Sequence, residues 1–389
     1  MESYRQLDFL QLDDQYSEDE RMVRDTVQNW VTERYLPLCM EHFENGTFPM
    51  DTIPELAEMG VFGPTLPAEY GCAGLNNVAA GLIYQELERG DSGLRSFCSV
   101  QGALVMFPIF SMGSEEQKKH WLPKLASGKA IGCFGLTEPD FGSNPGGMLT
   151  VAKKDGKHYV LNGRKMWITN GTIADVAVVW ARLDGKIRGF LVERGTPGYS
   201  APEQKHKFSL RASVTSELVL EDVRIPEANL LPKSEGLKAP LSCLTQARYG
   251  IAWGALGAAL SCFDEALRYS KSRIVFDKPL AAYQIPQKKL ADMATAITCG
   301  QLLALRMGRL KDEDKLTPQH VSMGKRNNCQ MALDVARVCR DMLGANGISL
   351  EYQTGRHMVN MESVNTYEGT YDIHTLAIGQ ELTGIPAFR

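Results

Sequence analysis

Apolar residues recur at helical spacing at both ends of the chain, whereas the middle alternates apolar and polar positions. Residues 17–20 have the spacing of a helix capping box and precede an apolar series at Val23, Val27, Trp30 and Val31. The alternating pattern lies between about residues 130 and 231, and long helical patterns follow it. We therefore predict a mainly α protein with a central β-domain: an N-terminal α-helical domain (1–130), the β-domain (131–235) and a C-terminal four-helix bundle (236–389).

Two turn signals divide the β-domain. Apolar runs at 158–161 and 165–168 flank Asn162-Gly163, a dipeptide typical of a two-residue hairpin. A second hairpin is predicted at Asp184-Gly185. Antiparallel hairpins in series favour a small β-barrel or sandwich over alternating strands and helices.

Composition narrows the class of protein. The 389 residues are 44% hydrophobic and 23% charged, with a net charge of −4, which is ordinary globular composition. That charge offers no electrostatic case for binding nucleic acid or an anionic membrane. The acidic first thirty residues contain no apolar run, and no uncharged helical stretch is long enough to span a bilayer, so we expect neither a secretory signal nor an integral membrane segment.

Side chains that bind metals are scattered. The nine cysteines form no CxxC pair, which is typical of reduced thiols in a cytosolic protein, and successive histidines are at least 17 residues apart. We expect no metal site. The motifs GxGxxG after a strand, GxxxxGK[ST], HExxH and GxSxG are absent from the sequence, which argues against Rossmann-type NAD binding and P-loop chemistry. By itself the predicted architecture names no reaction.

Three segments in a fixed order do point to a family. They are FGLTEPDFGS (134–143), WITN (167–170) and YEGT (367–370), and together they resemble the acyl-CoA dehydrogenases, a family of flavoproteins. The resemblance extends over essentially the whole chain. Four further segments resemble the glutaryl-CoA dehydrogenase branch: 86–96, 208–213, 247–253 and 364–370.

The resemblance implies a catalytic base. Oxidation of an acyl thioester removes a weakly acidic α-proton, which a positioned carboxylate can accept, while a hydride leaves the β-carbon for a flavin. In the family that carboxylate belongs to the YEGT motif, which makes Glu368 the base here and lets the backbone at Gly369 approach the thioester. From the local sequence alone, the favoured interpretation of Glu368 is an acid that complements a helix dipole.

The resemblance also implies that FAD is the cofactor. Its ring contacts would come from the strand-end segments, with Ser143 on a phosphate of the flavin or of CoA. The residues that match are Phe134, Leu136, Thr137, Trp167, Ile168 and Thr169. The local alternative is an ordinary turn at Gly142 and a core tryptophan. Asn144 departs from the family, where Asp is frequent.

The dinucleotide part of FAD would lie between subunits. The positions that match its contacts are Arg273, Phe276, Gln284, Asp341, Met342, Leu343, Gly344, Ala345 and Thr370. An arginine can pair with pyrophosphate oxygens. Without the family resemblance, the favoured interpretation of Arg273 is a solvated charge on a helix surface. Two positions depart from the family, because relatives usually carry glycine in place of Asp277 and Ala345.

The glutaryl-CoA branch implies a site for a dicarboxylic acyl group. Arg95 would bind the distal carboxylate, with Ser96 and Glu88 beside it and Tyr367 in the same site. Arg248 would lie near CoA. From the local segment alone, the favoured interpretation of Arg95 is an ion pair with Asp91 or Glu88. The alternative for Arg248 is an interhelical salt bridge.

The implied reaction converts glutaryl-CoA to crotonyl-CoA and CO2, and electrons pass to an electron-transferring flavoprotein. The alternatives are a short-chain or other acyl-CoA dehydrogenase and a glutaryl-CoA dehydrogenase that does not decarboxylate. A non-enzymatic acyl-CoA binder would need no base, and acyl-CoA oxidases are commonly longer.

Family resemblance implies a homotetramer, in the bacterial cytoplasm or, for a processed form, the mitochondrial matrix.

Overall fold

The chain begins with a helical domain, and the computed structural model describes residues 8–387. Ser17 accepts a hydrogen bond from the backbone of Glu20, whose carboxylate accepts one from the Ser17 N–H, so the predicted capping box is present. The helices of this domain are α1 (Glu18–Trp30), α2 (Leu36–Asn45), α3 (Ile53–Glu58), α4 (Asn77–Gly90), α5 (Ser92–Ser99), α6 (Phe107–Met112) and α7 (Glu115–Ala126).

A seven-stranded, largely antiparallel sheet follows. Its strands are β1 (Gly132–Gly135), β2 (Val151–Asp155), β3 (His158–Thr169), β4 (Val176–Leu183), β5 (Lys186–Glu193), β6 (Tyr199–Ser200) and β7 (Thr215–Pro226). Their spatial order is β1-β4-β2-β3-β7-β6, with β5 also on β4 and β1 parallel to β4. The hairpin predicted at Asp184-Gly185 is confirmed, because it joins β4 to β5 with Leu183 opposite Lys186.

The hairpin predicted at Asn162-Gly163 is wrong. Strand β3 continues through both residues and pairs with β2 on one side and with β7 on the other. The chain turns instead at Gly156, where φ is 59°. Gly163 lies at a β-bulge, where a Cβ atom would come within 2.3 Å of Thr150 Oγ1. This glycine therefore permits close packing and does not reverse the chain.

Helices return after the sheet, as predicted. They are α8 (Lys238–Ser272), α9 (Gln284–Asp312), α10 (Pro318–Met342), α11 (Gln353–Thr366) and α12 (Tyr371–Thr383), and the short pair β8 (Ile274–Val275) and β9 (Lys278–Pro279) lies between α8 and α9. Helix α11 was not predicted, because its sequence is mostly polar. The predicted fold class, two helical domains around a central β-domain, is confirmed.

Glycines bring α4 and α8 into close contact. A Cβ atom on Gly257 would lie 1.8 Å from the backbone oxygen of Gln85, and one on Gly81 would lie 2.4 Å from the ring of Trp253. Only hydrogen at these positions allows the two backbones to approach so closely. This contact joins the two helical domains directly beside the candidate site.

One segment has the length and composition of a membrane span. The segment Ser92–Met112 is apolar enough to qualify, but 89% of its most apolar window is buried inside the protein, as in a core helix.

None of the nine cysteines forms a disulfide; eight of them are buried, and Cys299 is exposed. Burial raises the pKa of the Cys133 thiol to about 12, so that thiol is unreactive at neutral pH.

Candidate active site

The turn between α11 and α12 carries the predicted base. Glu368 has a φ of 51° and Gly369 a φ of 100°, so two consecutive residues adopt left-handed or related backbone conformations. Thr370 is the N-cap of α12, since its hydroxyl accepts a hydrogen bond from Ile373 N at 3.2 Å. Asp372, in the first turn of α12, is the acid that complements the helix dipole. Glu368 lies before the cap, and a helix-dipole role does not account for it.

One oxygen of the Glu368 carboxylate is held away from water and from hydrogen-bond donors. The Oε2 atom is buried and has no partner among residues 8–387. Burial raises the pKa of Glu368, and the cations of Arg95, Arg248 and Lys325 partly oppose this shift. A carboxylate with a raised pKa is a stronger base, as proton abstraction requires.

Four side chains form a buried cluster beside this turn. Arg95, on α5, donates from Nε to Glu88 Oε2 at 2.6 Å and from Nη2 to the hydroxyl of Tyr367. The Ser96 hydroxyl lies 3.0 Å from the same tyrosine oxygen. Arg95 and Glu88 are almost fully buried. The structure therefore brings together Glu88, Arg95, Ser96 and Tyr367, the residues that the branch resemblance predicted.

The local alternatives for Arg95 are now distinguishable. Its carboxylate partner is Glu88, whereas Asp91 pairs with Arg356 of α11. Glu88 Oε1 is buried without a partner in the described chain. Arginine has five N–H donors, and Glu88 and Tyr367 use only some of them, so a further anion can bind.

Gly254 of α8 makes room for the ion pair. A Cβ atom at this position would lie 2.0 Å from Glu88 Oε2 and 3.1 Å from Arg95 Nε. The sequence did not single out this residue, because its role depends on the crossing of α8 over α4. The recurrence of Gly250, Gly254 and Gly257 along one helix is the signal that was available.

Arg248 binds the turn through its backbone. Its Nε donates to the carbonyl oxygen of Glu368 at 2.5 Å, and no carboxylate lies within 4.0 Å of its guanidinium among the described residues. The interhelical salt bridge is therefore excluded. A Cβ atom on Gly369 would be 2.8 Å from His374 Nε2 and 3.3 Å from Arg248 Nη2, so only glycine fits between these two side chains without a shift.

Two segments predicted to hold the flavin lie side by side. Met166 N donates to Thr137 O at 2.8 Å, which joins the end of β1 to β3. Trp167 has a φ of 61° and is 61% exposed, so it is not a core residue. The side chains of Phe134, Leu136 and Ile168 are buried, so only their backbones can reach a ligand.

These segments fit an isoalloxazine ring. The hydroxyls of Thr137 and Thr169 are only partly buried and form no hydrogen bond with any other described residue. They lie beside an exposed indole, so a flat ring with polar edges finds both an apolar surface and free hydrogen-bonding groups. Ser143 is exposed in the loop that follows β1.

A buried ion pair supports the flavin segments and was missed in the sequence. Lys165 Nζ lies 2.8 Å from Glu138 Oε1 and 3.2 Å from Leu136 O. Glu138 also accepts hydrogen bonds from the backbone N–H groups of Leu149 and Thr150. Burial lowers the pKa of Lys165 to about 8 even beside the carboxylate. The pair ties the LTEP segment to β3.

The residues predicted to contact the dinucleotide are mostly exposed. Arg273 follows α8, Phe276 lies in the β8–β9 turn with 85% exposure, and Gln284 begins α9. Among residues 341–345, the side chains of Met342 and Leu343 are buried, whereas Asp341, Gly344 and Ala345 are exposed. Thr370, the last member of this set, caps α12 directly after the Glu368 turn, and among the described residues no hydrogen bond or ion pair links the other members to that turn.

The backbone explains one departure from the family. Asp277 has a φ of 77°, a conformation that glycine adopts without strain and that Asp tolerates better than most residues. Asp341 is paired with Lys289 at 2.6 Å, so its charge is partly neutralised. No group of three metal-ligating side chains occurs between residues 8 and 387.

Comparisons with known proteins agree with this geometry. Sequence profiles match in three successive blocks: the acyl-CoA dehydrogenase N-terminal domain over 17–129, the middle domain over 133–223 and the C-terminal domain over 234–383. Human mitochondrial short-chain specific acyl-CoA dehydrogenase is 33% identical over 98% of this chain and 94% of its own length.

Solved structures match over nearly the whole chain as well. A glutaryl-CoA dehydrogenase from Mycobacterium smegmatis, in complex with FADH2, is 55% identical, with a TM-score of 0.97 over 98% of this chain and 99% of its own. A glutaryl-CoA dehydrogenase in complex with glutaryl-CoA is 32% identical, with a TM-score of 0.92 over 96% of this chain and 98% of its own. The chain therefore belongs to the acyl-CoA dehydrogenase family, whose members are FAD-dependent oxidoreductases acting on a CH–CH bond of an acyl-CoA.

Proposed function

We propose that this acyl-CoA dehydrogenase oxidises glutaryl-CoA and decarboxylates the product to crotonyl-CoA and CO2. The observation that carries the proposal is Arg95, a buried arginine that is bonded to Tyr367, the residue next to the base. Burial of an arginine costs free energy, and the methyl end of a fatty acyl chain would offer it no hydrogen bond or charge in return. The distal carboxylate of glutaryl-CoA gives it a bidentate partner.

Glu368 is the proposed base. Its buried carboxylate accepts the α-proton of the acyl group, and the raised pKa keeps that proton on the residue after transfer. Bound FAD supplies the acceptor for the hydride that leaves the β-carbon. Arg248 fixes the backbone at Glu368, so the carboxylate points to one position.

Decarboxylation follows from the position of the second carboxylate. In glutaconyl-CoA this carboxylate is attached to the γ-carbon, which is allylic to the double bond that is conjugated with the thioester. When the bond between the γ-carbon and the carboxylate breaks, CO2 leaves and the electron pair of that bond forms a dienolate. Protonated Glu368 then returns its proton to the γ-carbon, which gives crotonyl-CoA and restores the carboxylate. Glu88 and Tyr367 hold the Arg95 guanidinium in place throughout.

The cofactor contacts are proposed on the same basis. Thr137, Thr169 and Trp167 would hold the ring, Ser143 a phosphate, and the exposed set around Arg273 the dinucleotide. Exposure of this last set supports a homotetramer in which a second subunit covers it. Electrons would pass to an electron-transferring flavoprotein, and the protein would work in the bacterial cytoplasm or the mitochondrial matrix.

A short-chain acyl-CoA substrate is the second candidate, since the human short-chain enzyme aligns over nearly the whole chain. Arg95→Met decides between the two. We expect at least about a hundredfold loss of kcat/KM with glutaryl-CoA, because a lost charge-assisted pair costs about 3 kcal/mol, and retained turnover of butyryl-CoA. Crotonyl-CoA and CO2 would be measured as products of anaerobic turnover by the unmodified enzyme.

Arg89→Met is the matched control. Arg89 also forms a buried pair with a glutamate, Glu86 at 2.6 Å, but it contacts α1 instead of Tyr367. Its loss is expected to lower stability without changing the ratio of the two substrates. Equal losses on both substrates in Arg95→Met would contradict the assignment, and glutaconyl-CoA as the final product would contradict decarboxylation alone.

A further inference from the structure

Lys325 is a buried lysine that neither the sequence motifs nor the proposed reaction uses. It lies on α10, its side chain is fully buried, and no carboxylate is within 4.0 Å of its ammonium among the described residues. Its Nζ donates to Asn365 O at 3.1 Å and to Gly369 O at 2.8 Å. Burying an ammonium against neutral carbonyl groups is expensive, so its position calls for an explanation.

The two acceptors lie on either side of the catalytic turn. Asn365 is in the last turn of α11, where carbonyl groups have no partner within the helix, and Gly369 directly precedes the N-cap of α12. Between them lie Tyr367 and Glu368, the latter with a positive φ. One ammonium therefore bridges the start and the end of the strained segment.

We propose that Lys325 is a positioning residue for Glu368: its two hydrogen bonds fix the turn 367–369, and its charge favours the ionised carboxylate. The inference rests on the proposed role of Glu368 as the base and adds a requirement to it. Because a strained backbone persists only when its surroundings hold it, the turn needs such an anchor.

The charge on Lys325 acts within a small set of neighbours. Glu368 faces three cations from three helices: Arg95 on α5, Arg248 on α8 and Lys325 on α10. The other carboxylate of this cluster is Glu88, which is paired with Arg95. Tyr84, Cys329 and Tyr367, whose pKa values burial raises, and His374, whose pKa burial lowers to about 3, are neutral at working pH.

Substrate binding makes this charge more important. Arg95 is already paired with Glu88, so a distal carboxylate bound there adds a negative charge beside Glu368 and leaves Arg248 and Lys325 to offset it. Burial also lowers the pKa of Lys325, so the site holds a cation that is costly to keep charged. Removal of this cation raises the pKa of Glu368, because an unfavourable buried anion loses a partner.

The test compares Lys325→Met with Lys325→Gln, which removes the charge but keeps two N–H donors. A rise in the pKa of the base moves the acid limb of the kcat/KM profile to higher pH. We expect a shift of about one pH unit in both variants, the lower end of the effect of one nearby charge. We also expect faster amide exchange over residues 364–371 in Lys325→Met than in Lys325→Gln. Lys325→Arg should restore the acid limb.

Lys207→Met is the matched control. Lys207 is a partly buried ammonium that is likewise bound only to oxygen atoms, at 2.7–2.9 Å from Leu210 O, Ser213 O and Thr215 Oγ1. Its loss should lower stability and leave the acid limb in place. An unchanged acid limb in both Lys325→Met and Lys325→Gln would overturn the inference and reduce Lys325 to a structural anchor.

The Glu368 assignment is checked separately. If Lys325→Met does not fold, Lys325→Gln still decides the role of the charge. Near-normal flavin reduction in Glu368→Gln would overturn the proposed base itself, whatever the Lys325 variants show. Failure of the inference and failure of the proposed function therefore give different results.

Discussion

The acyl end of the site and its dinucleotide end are built in opposite ways. At the acyl end, Glu88, Arg95 and Tyr367 are bonded to one another inside a single chain. At the dinucleotide end, Arg273 and Phe276 project from the surface with no bond to the acyl cluster. One chain by itself thus builds the part proposed to select and deprotonate the acyl group, while the part proposed to hold the dinucleotide lies open on the surface of that chain.

Loss of the base should give the largest effect, confined to the acyl end. Glu368→Gln keeps the shape of the side chain but cannot accept the α-proton, so flavin reduction by substrate should fall about 10²- to 10⁴-fold. FAD content should be unchanged, because Glu368 is not among the proposed FAD contacts. Anaerobic stopped-flow absorbance measures the rate, and protein-bound flavin absorbance measures the content.

A smaller effect is expected from Gly254→Ala, which crowds the acyl cluster without removing any functional group. The added Cβ would lie 2.0 Å from Glu88 Oε2, so the carboxylate must leave Arg95 or the helices must separate. We expect a loss of about 1–3 kcal/mol in the free energy of unfolding. We also expect kcat/KM to fall more with glutaryl-CoA than with butyryl-CoA.

Gly379→Ala provides the control for a glycine change within a helix. Gly379 lies inside α12 with nothing within 4 Å of an added Cβ atom. Alanine there should stabilise the protein by up to about 1 kcal/mol, since it favours helix. Equal thermal stability of the two variants would show that the close contact at Gly254 is not needed.

The smallest effect is expected at the dinucleotide end. Arg273→Gln removes one charge that pairs with pyrophosphate oxygens, so FAD should bind about tenfold more weakly at a cost of about 1.5 kcal/mol. Reduction by glutaryl-CoA in saturating FAD should stay near normal. Arg268→Gln, one turn earlier on the exposed face of α8, is the control, and unchanged FAD affinity in both would remove Arg273 from the site.

The same contrast separates what the sequence predicted from what it missed. Local signals were reliable where the residues act through their neighbours in sequence, as in the capping box at Ser17 and the Asp184-Gly185 turn. Asn162-Gly163 misled because strands on both sides of β3 override a local turn preference.

The cluster at the acyl end shows the same limit. Arg95 and Glu368 were predicted because they belong to motifs of the family. Gly254 and Lys325 were not, since the role of each depends on a contact between helices that are distant in sequence. No periodicity or spacing within one helix reports such a contact.

The glycine contact between α4 and α8 also affects how the chain folds during its synthesis. Helix α4 emerges from the ribosome long before α8, and until α8 arrives, the Glu88–Arg95 pair lacks the surface that buries it. Contacts so distant in sequence form slowly, because a long loop must close first. The nascent N-terminal domain therefore spends much of translation with an open, partly charged face, and a chaperone that shields this face would raise the yield of folded enzyme.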